Sequence, residues 1–412
     1  MRASPDQLLP YLTIADPVLS RSIATRDPLG MLPVWSAYGR EIVPFLATSV
    51  RQLDGVRAVL LIQWLLEHKA VVPMLQKSEQ LRGFYRLMEG LVEWWLHENK
   101  GRFCFGGQSF GEPGAFEIHA AHTGMVANGL FQYYRGTCMR AKFLEPGEAS
   151  DAIHAALAAI WRGQTVASLV AALQEYLGKR VSKLSPRQLF ASRPGLFRAF
   201  EATFAPDFLL TFLGDNLLGD ATHIALAAQF GRQSKKEELG TRIQRLKSPQ
   251  LQARLVDIAR CEPFLLILQD VFDLLRASPG GNWRTLSYQL CDLYPAMQSR
   301  ARAFLLLGDE TSWPRLERMQ DLARKLVDGG PTPEACLEAF IESLANYHCK
   351  SMGERRRDPM LVLEGDVVQV LSGSDRSVAA ARARLASGSP WMNDYYLGTA
   401  AIMHRQLFKD AA

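Results

Sequence analysis

The sequence lacks the cysteine spacings that mark metal sites and disulfide frameworks. It contains six cysteines, and no two of them form a C-x-x-C pair. The closest pair is Cys336 and Cys349, which is too far apart for one arm of a zinc finger. We therefore expect reduced thiols in a reducing compartment.

Several glycine-rich and histidine motifs are also missing. There is no G-x-x-x-x-G-K-[ST] loop, no G-x-G-x-x-G after a strand and no H-E-x-x-H. These absences argue against a P-loop ATPase, a dinucleotide-binding sheet and a zincin-type metalloprotease. The sequence accordingly predicts no cofactor and no metal, and it assigns no catalytic residue.

Long hydrophobic runs are scarce. The most apolar stretch, AVLLIQWLL at residues 58–66, is far shorter than a membrane-spanning helix requires. The N-terminal residues carry prolines and aspartates where a signal peptide needs an apolar segment. We therefore expect a cytoplasmic protein without a membrane partner.

Helical periodicity is the dominant pattern that is present. Apolar residues recur at three- and four-residue intervals, which predicts helices over residues 51–70, 79–98, 151–177, 241–276 and 315–328. Ser150-Asp151 and Thr332 are predicted N-terminal caps, the latter with Pro333 at the first helical position.

One strand signal stands out near the C-terminus. The segment MLVLEGDVVQVL places two β-branched runs around Glu364-Gly365-Asp366, which predicts a hairpin. The predicted fold class is mainly α, with two or three packed parts and this small hairpin. The predicted parts are an N-terminal helical part with a proline-rich arm (1–145), a central helical part (146–330) and a C-terminal part (331–412).

Positive charge is gathered in three segments, although the net charge of the whole chain is only +5. The segment 178–200 contains no acidic residue and interleaves its basic residues with phenylalanines. The second segment spans 231–255, and the third is a run of consecutive arginines. The candidate phosphate-binding residues are Lys179, Arg180, Lys183, Arg187, Arg193, Arg198, Arg242, Arg245, Lys247, Arg355, Arg356 and Arg357.

Two interpretations of these basic segments compete. Each can be a solvated helix face whose charges are paired with acids from elsewhere in the chain. Alternatively, the segments converge in the fold and contact the phosphate backbone of DNA or RNA, where released counterions supply much of the affinity. Nothing in the segments specifies bases, so the expected binding is independent of sequence.

Two histidine patterns suggest chemistry instead. His119 and His122 would share one face of a helix and could reach one divalent ion, with a third ligand from His154 or His97. The neighbours His348 and Cys349 suggest a nucleophile pair, but adjacent helical residues point about 100° apart. The alternative for both is ordinary structural hydrogen bonding.

The N-terminal run 15–61 carries a resemblance. Its Asp27-Pro28-Leu29-Gly30, Trp35, Gly39-Arg40 and Pro44 are similar to a pattern in uncharacterised helical proteins encoded in bacterial antiphage defence loci. The resemblance implies a subunit that works beside an ATPase, helicase or nuclease, and it transfers no active site. Locally, Asp27-Pro28 and Pro33 predict an extended, turn-rich entry rather than a continuous helix.

The leading hypothesis is a non-catalytic subunit of a bacterial antiviral defence complex that binds DNA or RNA or acts as a scaffold. A metal-dependent hydrolase or nuclease built on His119 and His122 is the first alternative. An obligate protein–protein interaction module is the second.

Overall fold

The computed structural model describes residues 27–104, 116–119, 129–178, 183–231, 248–307, 314–373, 376–387, 393 and 395–408. Within them, helices dominate. They are α1 (Leu32–Ile42), α2 (Leu53–Glu67), α3 (Ser78–Lys100), α4 (Leu130–Arg140), α5 (Glu148–Ile160), α6 (Gln164–Leu177), α7 (Pro186–Ser192), α8 (Pro194–Thr203), α9 (Leu210–Asn216), α10 (Ala221–Gly231), α11 (Pro249–Arg276), α12 (Trp283–Gln289), α13 (Tyr294–Leu305), α14 (Pro314–Asp328), α15 (Pro333–Glu354), α16 (Val378–Ser387) and α17 (Leu397–Leu407). The strands are β1 (Ile118–His119), β2 (Lys183–Leu184), β3 (Leu361–Glu364) and β4 (Val367–Val370). The predicted mainly α fold with a C-terminal hairpin is confirmed.

The described residues group into two compact units. Unit 1 contains residues 27–38 and the described residues from 248 to 393, and unit 2 contains those from 39 to 231 and from 395 to 408. The chain passes from unit 1 to unit 2 between Tyr38 and Gly39, inside α1. The division into three parts near residues 145 and 330 stays a prediction.

Unit 2 is built around α2, whose residues from Leu53 to Ile62 are all buried. Helix α4 packs closely on it because Gly55 has no side chain: a Cβ there would lie 2.3 Å from the ring of Tyr134. Helices α10 and α17, and likewise α6 and α8, form further packed pairs in this unit. The two-residue strands β1 and β2 pair antiparallel.

The single helix predicted over 151–177 is wrong, because two helices meet there at 90°. Helix α5 ends before Trp161, whose Nε1 donates to Thr203 Oγ1 at 3.0 Å. Gly163 has a φ of +41° and allows the chain to turn into α6. No single helix in the described part is long and apolar enough to cross a bilayer, and only α5 and α6 together, bent as they are, reach that length and apolarity.

Unit 1 is built around α11, which is buried along most of its C-terminal half. Helices α13, α15 and α16 pack against it, and Phe264 contacts the ring of Phe304 at a centroid distance of 4.7 Å. Ser248 caps α11, with its Oγ accepting from Leu251 N at 3.3 Å. The helix predicted from residue 241 therefore begins at Pro249, and residues 241–247 lie outside the described part.

The predicted hairpin is confirmed, with Glu364 opposite Val367 and Leu361 opposite Val370. Gly365 occupies the turn at a φ of +59°, which favours glycine. The outer edge of β4 is also paired, since Gly280 N donates to Val368 O and Val368 N to Gly281 O, both at 2.9 Å.

Local helix signals had mixed outcomes. Thr332 caps α15, its Oγ1 accepting from Ala335 N at 3.2 Å, with Pro333 at the start as predicted. The cap predicted at Ser150-Asp151 is wrong, because α5 begins at Glu148 and Ser150 lies in its first turn. Residues 27–31 form the predicted turn before α1, and Pro33 lies in the first turn of that helix, where its missing N–H has no intrahelical partner to lose.

Candidate functional site

The first basic segment lies in unit 2, and three of its cations meet carboxylates from other elements. Lys183 Nζ lies 2.7 Å from Glu117 Oε2, and Arg187 Nη2 lies 3.3 Å from Glu98 Oε2. The guanidinium of Arg193 contacts Glu175 at 3.3 Å and also donates to the carbonyl of Ser168. The absence of acids in this stretch of sequence is thus compensated in the fold.

The remaining residues of this segment differ. The side chain of Arg198 is exposed on α8, and no hydrogen-bond or ion-pair partner contacts it in the described part of the chain. Lys179 and Arg180 lie outside the described residues, as do all three candidates of the second segment, Arg242, Arg245 and Lys247.

The third segment, Arg355 to Arg357, directly follows the last residue of α15. The guanidinium of Arg355 donates to Ser351 O at 3.1 Å, to Ser351 Oγ at 2.6 Å and to Asp27 O at 2.8 Å. The two bonds to Ser351 hold the guanidinium on the last turn of the helix, and the third bond fastens the backbone of Asp27 to it. Arg355 is therefore a structural residue whose donors are occupied.

Arg356 and Arg357 complete the end of α15 through their backbones. Arg356 N donates to Gly353 O at 2.9 Å and Arg357 N to Met352 O at 3.0 Å, which is the pattern of a Schellman motif. Arg356 holds the left-handed position with a φ of +53°. Both side chains are exposed and have no hydrogen-bond or ion-pair partner among the described residues.

Replacing Arg356 by glycine is expected to stabilise the protein by about 1 kcal/mol, because a left-handed residue with a Cβ is strained by about that amount. Arg357→Gly is the matched control, since Arg357 does not have a positive φ and glycine there only adds freedom to the unfolded chain. Urea denaturation of both variants measures the difference. An Arg356→Gly protein less stable than the control would contradict the strain.

The prediction that His119 lies on a helix is wrong. His119 lies in β1, not on a helix, and its side chain is exposed. Its carbonyl accepts from Tyr176 Oη at 3.0 Å. His122 lies outside the described residues. His154 pairs with Glu67 at 3.5 Å, and His97 stacks on Phe103 with a centroid distance of 4.5 Å. Within the described ranges no three His, Cys, Asp or Glu side chains form a group that could hold a metal.

His348 is fully buried and joins two backbone segments of unit 1. Its Nε2 accepts from Met360 N at 2.8 Å, so the proton is on Nδ1, which donates to Pro28 O at 3.0 Å. Burial lowers the pKa of His348 to about 4. Cys349 instead donates to Leu361 O at 3.4 Å, and burial raises the pKa of its thiol. The pair is structural.

Two buried carboxylates on α3 were not identified from the sequence. Glu93 accepts from Cys104 N at 2.8 Å, and Glu89, one turn earlier, accepts from Phe131 N at 2.9 Å at the start of α4. Burial raises the pKa of Glu89 to about 7. Gly129 lies so close that a Cβ would be 2.0 Å from Glu89 Oε2. Glu93 and Glu89 thus bind the backbones of Cys104 and Phe131 to α3, although these two residues are far apart in the sequence.

Helix α11 uses buried carboxylates in the same way in unit 1. Asp270 accepts from Arg384 Nε at 3.1 Å, and Asp273 accepts from Arg376 Nη1 at 3.1 Å. Glu262 accepts from Asn393 N at 2.8 Å. The three acids hold successive points of residues 376–393 against the central helix.

A third group of buried charges centres on Asp54 in unit 2. This carboxylate accepts from Arg57 at 3.1 Å, Lys100 at 2.9 Å and Arg102 at 2.6 Å. Burial alone would raise the pKa of Asp54, but the hydrogen bonds and charges of Lys100 and Arg102 outweigh it and the pKa is lowered. Lys100 and Arg57 also donate to the carbonyls of Phe204, Pro206 and Phe208, which follow the end of α8.

The buried carboxylates and the histidine described above thus bind backbone segments or basic side chains, whereas exposed arginines with no partner in the described chain are open to a ligand. Of the sequence-predicted residues, Arg198, Arg356 and Arg357 meet that description, the first in unit 2 and the others in unit 1. No protein-family model, curated protein sequence or solved structure matches this chain.

Proposed function

We propose that this protein is a non-catalytic subunit that binds the phosphate backbone of nucleic acid weakly and without sequence preference. The observation that carries the proposal is the contrast between occupied and open charges. Buried Asp54, Asp270, Glu89 and His348 each have a structural partner. Arg198, Arg356 and Arg357 have none in the described chain, and a phosphate oxygen is a good acceptor for them.

The paired cations of the first segment support the same proposal. The side chains of Lys183 and Arg187 are 54% and 64% exposed, so their ion pairs with Glu117 and Glu98 are surface pairs. Such pairs contribute about 0–1 kcal/mol and exchange readily for a phosphate contact. Lys183 and Arg187 therefore add positive charge close to Arg198 in the sequence, and breaking their ion pairs costs little free energy.

Fluorescence anisotropy with a labelled single-stranded oligonucleotide at low ionic strength tests the proposal. Arg198→Gln, Arg356→Gln and Arg357→Gln are each expected to weaken binding equally for unrelated sequences. Each should also reduce the slope of log affinity against log salt by about 1, as expected for one lost phosphate contact. Duplex DNA and RNA of the same length distinguish the preferred polyanion.

Arg324→Gln is the matched control, because this exposed arginine is already paired with Asp321. It removes the same charge and is expected to change binding less than the three test variants. Wild-type protein that shows no binding at low salt would refute nucleic-acid binding.

In that event the scaffold role in a defence complex would remain, and this context rests on the resemblance of residues 15–61 alone. One observation favours it as the second candidate: Tyr288, Leu306 and Leu371 in unit 1 are large apolar side chains exposed by 65–69%. Co-expression with the product of a neighbouring gene, followed by co-purification, tests whether the chain is an obligate interaction module.

A further inference from the structure

The charge cluster around Asp54 in unit 2 holds more cations than one carboxylate can neutralise. Asp54 Oδ1 lies 3.1 Å from Arg57 Nη1, so this oxygen is matched by one guanidinium. The other oxygen, Oδ2, lies 2.9 Å from Lys100 Nζ and 2.6 Å from Arg102 Nη2. Lys100 and Arg102 therefore lie close together and share a single oxygen, which leaves surplus positive charge beside it. Burial lowers the pKa of Lys100, and the charges of Arg102 and Arg57 act in the same direction.

The end of α3 brings the two cations to the same carboxylate. Lys100 is the last residue of the helix, and Gly101 follows it with a φ of +63°. Gly101 N donates to His97 O at 2.9 Å and so closes the last turn. The chain changes direction there, and the guanidinium of Arg102 reaches Asp54 beside Lys100. The closeness of the two cations is thus fixed by the backbone.

Both cations have open donors. The ammonium group of Lys100 carries three N–H donors, of which one bonds to Asp54 and another to Phe204 O at 2.7 Å. The guanidinium of Arg102 contacts Asp54 through Nη2, and in the described part of the chain no partner contacts its Nε or Nη1. Both side chains are partly exposed, unlike that of Arg57. A ligand from solvent can therefore contact Lys100 and Arg102 together.

The other ionisable groups near the cluster do not occupy these donors. Glu93 accepts from Cys104 N at 2.8 Å, and Glu98 pairs with Arg187 at 3.3 Å. The carboxylate of Asp207 acts on the cluster only at longer range, through the buried guanidinium. Burial raises the pKa of the Cys104 thiol, so this group stays neutral and adds no negative charge.

We propose that Lys100 and Arg102 bind one terminal phosphate group, as found in a phosphate monoester or in free phosphate. A phosphate monoester carries about 1.5 to 2 negative charges at pH 7, which suits two cations that share one carboxylate oxygen. Each phosphodiester of a nucleic-acid backbone carries only one negative charge. The terminal phosphate can belong to a free nucleotide or to the 5′ end of a nucleic-acid strand.

The geometry of Arg102 favours such a ligand. Its guanidinium is already held by Asp54, so it loses little side-chain freedom on binding, and its planar fork can contact two phosphate oxygens. The carbonyl end of α3 disfavours a nearby anion. Charge-assisted hydrogen bonds from Lys100 and Arg102 outweigh that effect, because each is stronger than the attraction or repulsion of an exposed helix end.

Calorimetric titration of the full chain with inorganic phosphate at low ionic strength tests the site. Arg102→Gln removes the more exposed cation and leaves Asp54 paired with Arg57 and Lys100. The loss of one charge-assisted hydrogen bond is expected to weaken phosphate binding about tenfold or more. Arg102→Lys keeps the charge without the planar fork and should recover part of that loss. Phosphate should also raise the melting temperature of the wild type more than that of Arg102→Gln.

Arg82→Gln is the matched control. Arg82 is exposed on the same helix, has no partner among the described residues and lies about 27 Å from Lys100 along α3. Its replacement removes the same charge and is expected to leave phosphate binding unchanged. Equal phosphate affinities of Arg102→Gln and Arg82→Gln would overturn the site, even if Arg102→Gln melted at a lower temperature. A wild type that binds no phosphate at millimolar concentration would overturn it as well.

Further ligands identify the kind of phosphate. Dimethyl phosphate, a singly charged diester, is expected to bind about tenfold more weakly than inorganic phosphate, and equal binding would contradict a site for terminal phosphate. Tighter binding of AMP than of phosphate indicates a free nucleotide. Tighter binding of a 5′-phosphorylated oligonucleotide than of its 5′-hydroxyl form indicates a strand end. Because backbone binding is tested by Arg198, Arg356 and Arg357, either proposal can fail alone.

Discussion

Asp54→Asn is expected to lower the free energy of unfolding by about 3–5 kcal/mol. The substituted side chain keeps its shape but loses its charge, so Arg57 loses its ion-pair partner and keeps only the longer-range attraction of the Asp207 carboxylate. The side chain of Arg57 is only 3% exposed and cannot turn to water. Lys100 and Arg102 are 22% and 43% exposed, so they recover part of their hydration. The penalty therefore comes mainly from Arg57.

The surrounding fold makes this penalty hard to relieve. Arg57 also donates to Pro206 O at 2.8 Å and to Phe208 O at 3.0 Å, so moving it would free those carbonyls too. Natural domains have a total stability of about 5–15 kcal/mol, so a loss of this size leaves unit 2 marginally stable. Urea denaturation followed by tryptophan fluorescence measures the loss.

Two further variants make the result specific. Asp321→Asn is the matched control, because Asp321 pairs with Arg324 at the surface, where both side chains are more than half exposed. Its expected effect is below about 1 kcal/mol. The double variant Asp54→Asn, Arg57→Met removes the uncompensated charge and should recover part of the stability. An Asp54→Asn protein within 1 kcal/mol of the wild type would show that the cluster does not depend on this carboxylate.

What could be predicted from sequence was local. The cap at Thr332 and the hairpin at Gly365 depend on residues within a few positions of each other, and both are confirmed. The break at Gly163 was missed because apolar periodicity continues across it, and only the positive φ shows the turn. Local elements were thus predicted correctly where the turn and capping residues agreed with the hydrophobic pattern.

The basic segments show that the partners of a charged residue cannot be predicted from its neighbours in the sequence. The guanidinium of Arg187 donates to the carboxylate of Glu98 across 89 positions of sequence, and that of Arg355 donates to the backbone carbonyl of Asp27 across 328. A single stretch of sequence does not contain such distant partners. The segment 178–200 was therefore expected to carry unpaired positive charge, although carboxylates from elsewhere in the chain pair with three of its cations. A signal was available for the acids of α3: Glu89 and Glu93 are one turn apart within a stripe of apolar residues, which places both carboxylates on the buried face.

His348 is expected to make unit 1 sensitive to acid. In the folded protein its pKa is about 4, against an ordinary value of 6.5, because burial disfavours the imidazolium. Between these two values the unfolded chain binds a proton that the folded chain does not. The stabilisation is therefore complete above about pH 6.5 and is lost as the pH falls towards 4. Its upper limit is about 3 kcal/mol, from the size of the shift.

Other groups titrate in the same window, so the test compares two proteins. Glu89 acts in the opposite direction, since its raised pKa of about 7 makes the folded state bind more protons than the unfolded one. His348→Gln removes only the histidine contribution, while its amide can still donate and accept one hydrogen bond. Stability measured by urea denaturation from pH 7 to pH 4 should fall less steeply in His348→Gln than in the wild type. Parallel curves would mean that protonation of His348 is not linked to folding, and the bridge between Pro28 and Met360 would then have to tolerate the imidazolium.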